Sequence, residues 1–413
     1  NEHNQVHPSL YLTPSITTPP RLKTQMAKFQ SSPSLLIILF VIHAFTSANA
    51  VYNIVSFGAK PDGHTDSTKA LLSAWSVACG SSQPATIYVP SGRFLISHAA
   101  MSGPCKSGKT TIQMDGTLVA PSNYANVEEW IIFYHVQGVS VIGGTIDGQG
   151  SPLWECKSKG HGCPDGATSL KFINSKEIVI SGLTSVNSKL YHIVIDGCEN
   201  VRVQGVKISA PGNSPNTDGI HVQGSTHVTV TGASIGTGDD CISIGPGTTN
   251  LWIERVTCGP GHGISIGSLG KEYQEEGVQN VTVNTAVFTG TQNGLRIKTW
   301  GRPSDGFVRG VVFQHAMMQN VDNPIIITQD YCPNHKDCPH HNSGVKISEV
   351  TYNDIHGSSS TPIAVDFSCS PTNPCSGIGL QDIKLTYENK PAEASCENAG
   401  GSASGFVIPP SCL

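Results

Sequence analysis

Between Asn216 and Ile266 the chain reads NTDGIHVQGSTHVTVTGASIGTGDDCISIGPGTTNLWIERVTCGPGHGISI. Short β-branched runs alternate there with turn residues, and they fall into two interleaved series. Val228-Thr229-Val230 and Leu251-Trp252-Ile253 belong to the first series. Ile220-His221-Val222, Ile242-Ser243-Ile244 and Ile264-Ser265-Ile266 belong to the second. Working outward, the first series extends back through Val201-Arg202-Val203 to Ile178-Val179-Ile180 and forward to Val281-Thr282-Val283. Its central residues are 23, 27, 23 and 30 positions apart, and four of the five runs follow an Asn or a His. The second extends back to Ile193-Val194-Ile195 and forward to Leu295-Arg296-Ile297 and Ile325-Ile326-Ile327.

Two strand series sharing one drifting period are the mark of a β-solenoid. Each turn is then a rung, and equivalent strands stack as a parallel sheet about 4.8 Å apart. Alternation puts Ile220, Val222, Ile242, Ile244, Ile264, Ile266, Leu295 and Ile297 in the core and His221, Ser243, Ser265 and Arg296 outside it. A leucine-rich repeat would need LxxLxL spacing, which is missing. The expectation is an all-β, single-domain parallel β-helix over residues 51–413. A terminal rung would expose its core, so caps are required. Ser67 to Ala78 carries Ala70, Leu71, Ala74, Trp75 and Ala78 at helical spacing, predicting a short N-terminal capping helix with Asp66 as its N-cap. The loop-rich tail from Cys369 to Leu413, with four cysteines, is expected to be pinned over the last rung.

The first fifty residues do not fit the repeat. The apolar run Leu35 to Ile42, with Lys28 ahead of it and Ala48-Asn49-Ala50 behind, has the layout of a secretory signal peptide at 26–50. It is too short to span a membrane. Residues 1–25, ahead of the first methionine, Met26, read as upstream translated sequence. Loss of residues 1–50 removes Glu2, Arg21, Lys23 and Lys28 and leaves 22 basic against 29 acidic side chains. An acidic chain speaks against a nucleic-acid partner, and no segment calls for a membrane.

All 13 cysteines follow residue 50, and export makes disulfides their natural use. Proximity pairs Cys79 with Cys105, Cys156 with Cys163, Cys241 with Cys258, Cys332 with Cys338, Cys369 with Cys375 and Cys396 with Cys412, leaving Cys198 over. Connectivity stays open at this level. Zinc, the rival use of cysteine, would call for paired CxxC knuckles, which are missing. The only Asn-x-Ser/Thr sequon, Asn280-Val281-Thr282, opens a rung and predicts one N-glycan on a secreted protein.

Aligned rungs gather the chemistry. Asn216-Thr217-Asp218, Gly238-Asp239-Asp240, Gly261-His262 and Asn293-Gly294 each stand just before a strand of the second series. The alignment predicts Asp218, Asp240, His262 and Asn293 in one column, with Asp239 one step before it and Arg296 and Lys298 on the outward face. For a single Asp beside Gly, a turn is the ordinary reading. Stacked carboxylates are another matter, because each raises its neighbours' pKa, so at least one of the three should hold its proton well above the usual range. A protonated acid beside ionised carboxylates is what glycoside hydrolysis needs. Arg296 and Lys298 read as a counter-charge for an anionic sugar.

In their order and spacing, Asn216-Thr217-Asp218, Gly238-Asp239-Asp240, Gly261-His262-Gly263 and Arg296-Ile297-Lys298 resemble the four signature segments of the polygalacturonases, the family 28 glycoside hydrolases. The likeness runs from Tyr52-Asn53-Ile54-Val55-Ser56-Phe57-Gly58-Ala59 to the C-terminal cysteines. Gly58-Ala59-Lys60-Pro61-Asp62-Gly63, Ser268-Leu269-Gly270 and Tyr331-Cys332-Pro333 are similar to the plant pollen-type exopolygalacturonases. The resemblance implies a right-handed, pectin-lyase-like β-helix that hydrolyses the α-1,4-linked galacturonate backbone of pectin with inversion. It implies Asp239 as general acid, Asp218 and Asp240 as the groups that hold and deprotonate water, and His262 as the tuner of the acid. Arg296 and Lys298 are implied to bind the galacturonate carboxylate, and Asn216 and Tyr331 to shape the reactive subsite. It implies no metal or organic cofactor, a monomer with pectin as partner, and secretion to the plant cell wall. The pollen-type likeness implies exo attack from the non-reducing end, with endo attack as the alternative that no spacing settles. A calcium-dependent pectate lyase and a silent polysaccharide-binding β-helix are the rival readings.

Overall fold

The computed structural model describes residues 50–123, 127–160, 162–333, 338–339 and 341–413. The expected upstream sequence and signal peptide lie outside them. Ile193–Asp196, Ile220–Gln223, Ile242–Ile244, Ile264–Leu269, Asn293–Trp300 and Asn323–Tyr331 are successive neighbours in an eleven-stranded parallel sheet. Ile220, Ile242, Ile264 and Leu295 pair in line, as do His221, Ser243, Ser265 and Arg296. The first row is fully buried, because one coil's inward side chains sit directly on the next coil's. The other series stacks in the predicted register too, Val179 on Arg202 on Thr229 on Trp252 on Thr282. The fold is a parallel β-helix.

The Asn or His before four of the five runs has a conformational cause. Glu177, Asn200, His227, Asn250 and Asn280 turn the same corner in five consecutive rungs with φ between 53° and 57°. That left-handed conformation costs most residues roughly 1–2 kcal/mol and suits Asn better than others. Inside, apolar rings stack along the axis: Phe133 lies 4.5 Å from Phe172, and Phe313 5.1 Å from Tyr352. Dispersion between equivalent side chains of successive rungs thus adds to burial.

The capping helix spans Thr68–Cys79 and buries Ala70, Leu71, Ala74, Trp75 and Ala78. Its N-cap is Ser67, not Asp66. Asp66 stands one residue earlier and still accepts the Thr68 N–H at 2.9 Å. A carboxylate reaches across one extra residue, so composition alone misplaced the cap. A second helix, Ser151–Lys159, was not foreseen, for its single buried side chain, Leu153, leaves no periodic stripe. The tail also departs from expectation. Cys375–Tyr387, Glu393–Glu397 and Ala399–Ile408 continue the parallel sheets and are not a loop-rich cover. Their exposed Gly and Ser residues hid the strand pattern. The six disulfides are those that proximity pairs, and Cys198 is free and buried. No helix among the described residues is long and apolar enough to cross a membrane.

Candidate active site

The turns entering the eleven-stranded sheet hold the polar residues in place through their main chains. Gly219 donates its N–H to the Asp240 carbonyl at 2.9 Å, and His262 donates its own to the Asp239 carbonyl at 2.8 Å. These turns leave no room for side chains at two points. A Cβ on Gly238 would collide with Ser214, and one on Gly263, where φ is 87°, with the Asn293 carbonyl. Glycine is the residue that permits such approach.

Asp218, Asp239 and Asp240 come together as expected, and His262 joins them, but through Asp239. Its Nδ1 lies 3.0 Å from Asp239 Oδ1. Asp240 turns the other way, accepting from Ser265 Oγ and Lys298 Nζ, both at 2.7 Å. Asn293 does not join the open site, since it is buried and donates its amide to the His262 carbonyl at 3.1 Å. Asn216 stands at the rim, its Nδ2 3.5 Å from Asp239 Oδ2.

Asp218 and Asp239 are shifted in opposite directions. Burial, with the charges of Asp239 and Asp240 added, pushes Asp218 well above the usual carboxyl range. Burial works on Asp239 in the same direction but is outweighed. The hydrogen bond and charge of His262, with Lys298 and the Asp240 N–H, bring it below its ordinary value. The expected high-pKa member of the trio is therefore Asp218.

The two cations also divide. Lys298 is buried and paired with Asp240 through one of its N–H donors, and it lines both cavities that meet over the cluster. Arg296 is half-buried, with its guanidinium carbon 5.2 Å from the centre of the Tyr331 ring. Its Nε has no hydrogen-bond partner among the described residues. Tyr331 also receives the Lys298 ammonium at 5.2 Å, so one ring supports both cations.

Two cavities meet over this cluster. The first, about 580 Å³, is lined by Asp218, Asp239 and Asp240 together with Tyr191, His221, Gln223 and Lys271, and reaches Glu128, Glu129 and Asp165. The second, about 640 Å³, is lined by His262, Gln292, Arg296, Thr328 and Asp330. Asn216, Asp239, Lys298 and Tyr331 line both. Tyr191 was missed from the sequence. It stacks on His221 at 5.2 Å, and the His221 Nδ1 is paired with Ser243 Oγ at 2.8 Å. Extending the aligned column one rung upward, where Ile193 pairs with Ile220, would have placed Tyr191 beside Asp218. Among the described residues, the group able to offer three close metal ligands is Asp239, Asp240 and His262. Lys298 already supplies the positive charge there.

Residues 79–405 match the model of glycosyl hydrolases family 28. A polygalacturonase of Prunus persica is 59% identical over 393 residues, covering 94% of this chain and 100% of the relative. An exopolygalacturonase of Platanus acerifolia is 41% identical over 88% of this chain and 98% of its own length. Among solved structures, an endo-xylogalacturonan hydrolase from Aspergillus tubingensis superposes with a TM-score of 0.75 at 24% identity, covering 86% of this chain and 100% of that one. At that identity the last likeness speaks for the fold alone. With the family match spanning most of the β-helix and its signature segments converging on one cluster, the chain belongs to glycosyl hydrolases family 28.

Proposed function

We propose that the chain is a polygalacturonase that hydrolyses the α-1,4 bonds of polygalacturonate with inversion, from the non-reducing chain end, and releases galacturonate. One observation carries the assignment of roles. Asp239 borders both cavities, whereas Asp218 and Asp240 border only the first. A bond between two sugars seated in the two cavities has its glycosidic oxygen at their junction, so Asp239 is the carboxyl placed to protonate it. A water in the first cavity, held by Asp218 and Asp240, attacks the anomeric carbon from the opposite face. One of these two takes its proton, and the new hydroxyl has the β configuration.

Asp239 must carry a proton to act, yet His262 favours its ionised form in the open site. A bound sugar excludes water and raises the cost of that charge, moving the trio's proton toward Asp239. Arg296, seated on Tyr331, and Lys298 beside it are the cations that meet a substrate carboxylate in the second cavity. Chain-end attack is supported by Glu128, Glu129 and Asp165 in the wall of the first cavity, where Lys171, paired with Glu129 at 3.2 Å, is set against three acids that a further galacturonate would meet. The 41% identity to a relative named exopolygalacturonase supports it as well. The disulfides favour an oxidising location, the apoplast and cell wall. A calcium-dependent lyase would need carboxylates free to bind the ion, and Lys298 occupies Asp240. Analysis of early products from polygalacturonate tests the proposal: galacturonate alone is expected, while an oligomer ladder would give endo attack and unsaturated products a lyase.

A further inference from the structure

A third depression, of about 550 Å³, opens beside the two cavities, lined by Lys271, Tyr273, Arg302, Pro303, Pro339 and His341 along with Cys338. Lys271 also lines the first cavity, and Cys338 and Pro339 also line the second, so the depression continues the groove. Its described lining contains no carboxylate, although the chain as a whole has a net charge of −5. The acids of the neighbouring turns are engaged with backbone. Glu275 accepts the N–H groups of Gly270 and Lys271, and Asp305 accepts that of Glu275. Glu272, on the same turn, is not part of the lining.

The depression is tied to the catalytic cluster by a chain of cation–aromatic contacts. The Arg302 guanidinium lies 5.2 Å over the Trp300 ring, Trp300 meets Tyr331 edge-on at 5.2 Å, and Tyr331 carries Arg296 and Lys298. Arg302 also donates to the Lys271 carbonyl at 3.3 Å, which joins the two cationic residues of the depression. Tyr273 is 68% exposed at its edge, and its carbonyl accepts the Asp305 N–H at 2.8 Å. An Arg302 held over Trp300, an exposed Lys271, a ring and two prolines make a surface suited to a sugar that carries a carboxylate.

We propose that this depression is a distal subsite for galacturonate residues of the polymer, Arg302 and Lys271 meeting carboxylates while Tyr273 packs against a sugar ring. The inference rests on the polygalacturonase reading and adds a role for chain length. Arg302→Gln and Tyr273→Ser are compared with the unaltered enzyme on digalacturonate and on size-fractionated polygalacturonate. KM for the polymer should rise roughly five-fold in Arg302→Gln, the scale of one or two exposed ionic contacts, with kcat unchanged. Digalacturonate, too short to reach the depression, should be hydrolysed normally by both variants. Arg302→Lys, which keeps the charge, should recover most of the affinity. An unchanged KM on polymer, or an equal rise on both substrates, would overturn the subsite. Failure of the unaltered enzyme to hydrolyse either substrate would instead remove the reading beneath it.

Discussion

Lys298 Nζ sits 2.7 Å from Asp240 Oδ2, with only 9% of the lysine side chain and 1% of the aspartate exposed. The pair fixes Asp240 against the sheet floor, where Ser265 holds its other oxygen. Burial works to discharge Lys298, but the charge of Asp240 outweighs it and raises its pKa. Lys298→Met would strand a carboxylate in a buried place, which typically costs about 3–5 kcal/mol. Denaturant unfolding of the variant should show a loss of that order, and the double change with Asp240→Asn should recover much of it. If Lys298 instead served mainly to bind substrate, stability would hold and KM alone would rise.

Asp218 presents the opposite case, a buried carboxyl kept at a raised pKa by burial and two neighbouring charges. Its folded pKa exceeds its unfolded one, so its contribution to stability is fully present below the ordinary carboxyl pKa. That contribution is lost as pH rises through the raised value. Asp218→Asn removes a carboxyl whose ionisation is opposed by burial and by Asp239 and Asp240. The variant should be inactive yet more stable than the parent by about 0.5–2 kcal/mol at pH 7, the usual gain when a functional strain is removed. At acid pH the difference should shrink. Thermal unfolding across that range checks it, and a variant less stable at neutral pH would contradict it.

Much of this was legible beforehand because a β-helix writes its register into the chain. Each rung repeats an alternating run, and Ile220, Ile242, Ile264 and Leu295 line up with no knowledge of the third dimension. Side-chain direction was not legible. His262 and Asp240 share a backbone column, yet one imidazole goes to Asp239 while Asp240 goes to Lys298. That choice depends on rotamers and on Ser265 beneath. That Asp218 is shifted up and Asp239 down was hidden for the same reason, since burial and hydrogen bonds differ among residues that look equivalent in sequence. Strands made of Gly, Ser and Ala, such as Ala399–Ile408, lack the β-branched signal and read as loop.

Cys198 should be the single unpaired thiol. Its Sγ points at the carbonyls of Asp196 and Phe172, 3.3 Å and 3.5 Å away, and burial pushes its pKa up to about 11. The native protein should therefore resist maleimide near neutral pH, and the denatured, unreduced protein should take up one label, at this residue. Labelling of any other cysteine would show a different pairing.

Asn280 is exposed at its rung corner, with φ of 55°, and its amide donates to Asn250 Oδ1 at 3.3 Å. That position leaves space for a glycan outside the coil, on the sheet of the first strand series and away from the catalytic groove. A secreted preparation should lose mass on enzymatic deglycosylation. Thr282→Val, which destroys the sequon in an outward strand position, should abolish that shift and leave activity intact.

The decisive prediction concerns Asp239. If it delivers the proton from the junction of the two cavities, Asp239→Asn keeps the shape and the Asn216 contact but removes the donor. Turnover on polygalacturonate should fall by about 10²–10⁴-fold, the usual contribution of general acid catalysis. A galacturonide bearing a leaving group that departs without protonation bypasses the acid, so the same variant should hydrolyse it at a rate approaching the parent's. Asp218→Asn and Asp240→Asn should gain nothing from such a substrate, because water still has to be deprotonated. Proton NMR of the first product from the unaltered enzyme should show the β anomer, the outcome of direct attack by water on an α linkage. Retention of the α anomer would mean a covalent intermediate, and a leaving-group rescue of Asp218→Asn in place of Asp239→Asn would exchange the roles of the two residues.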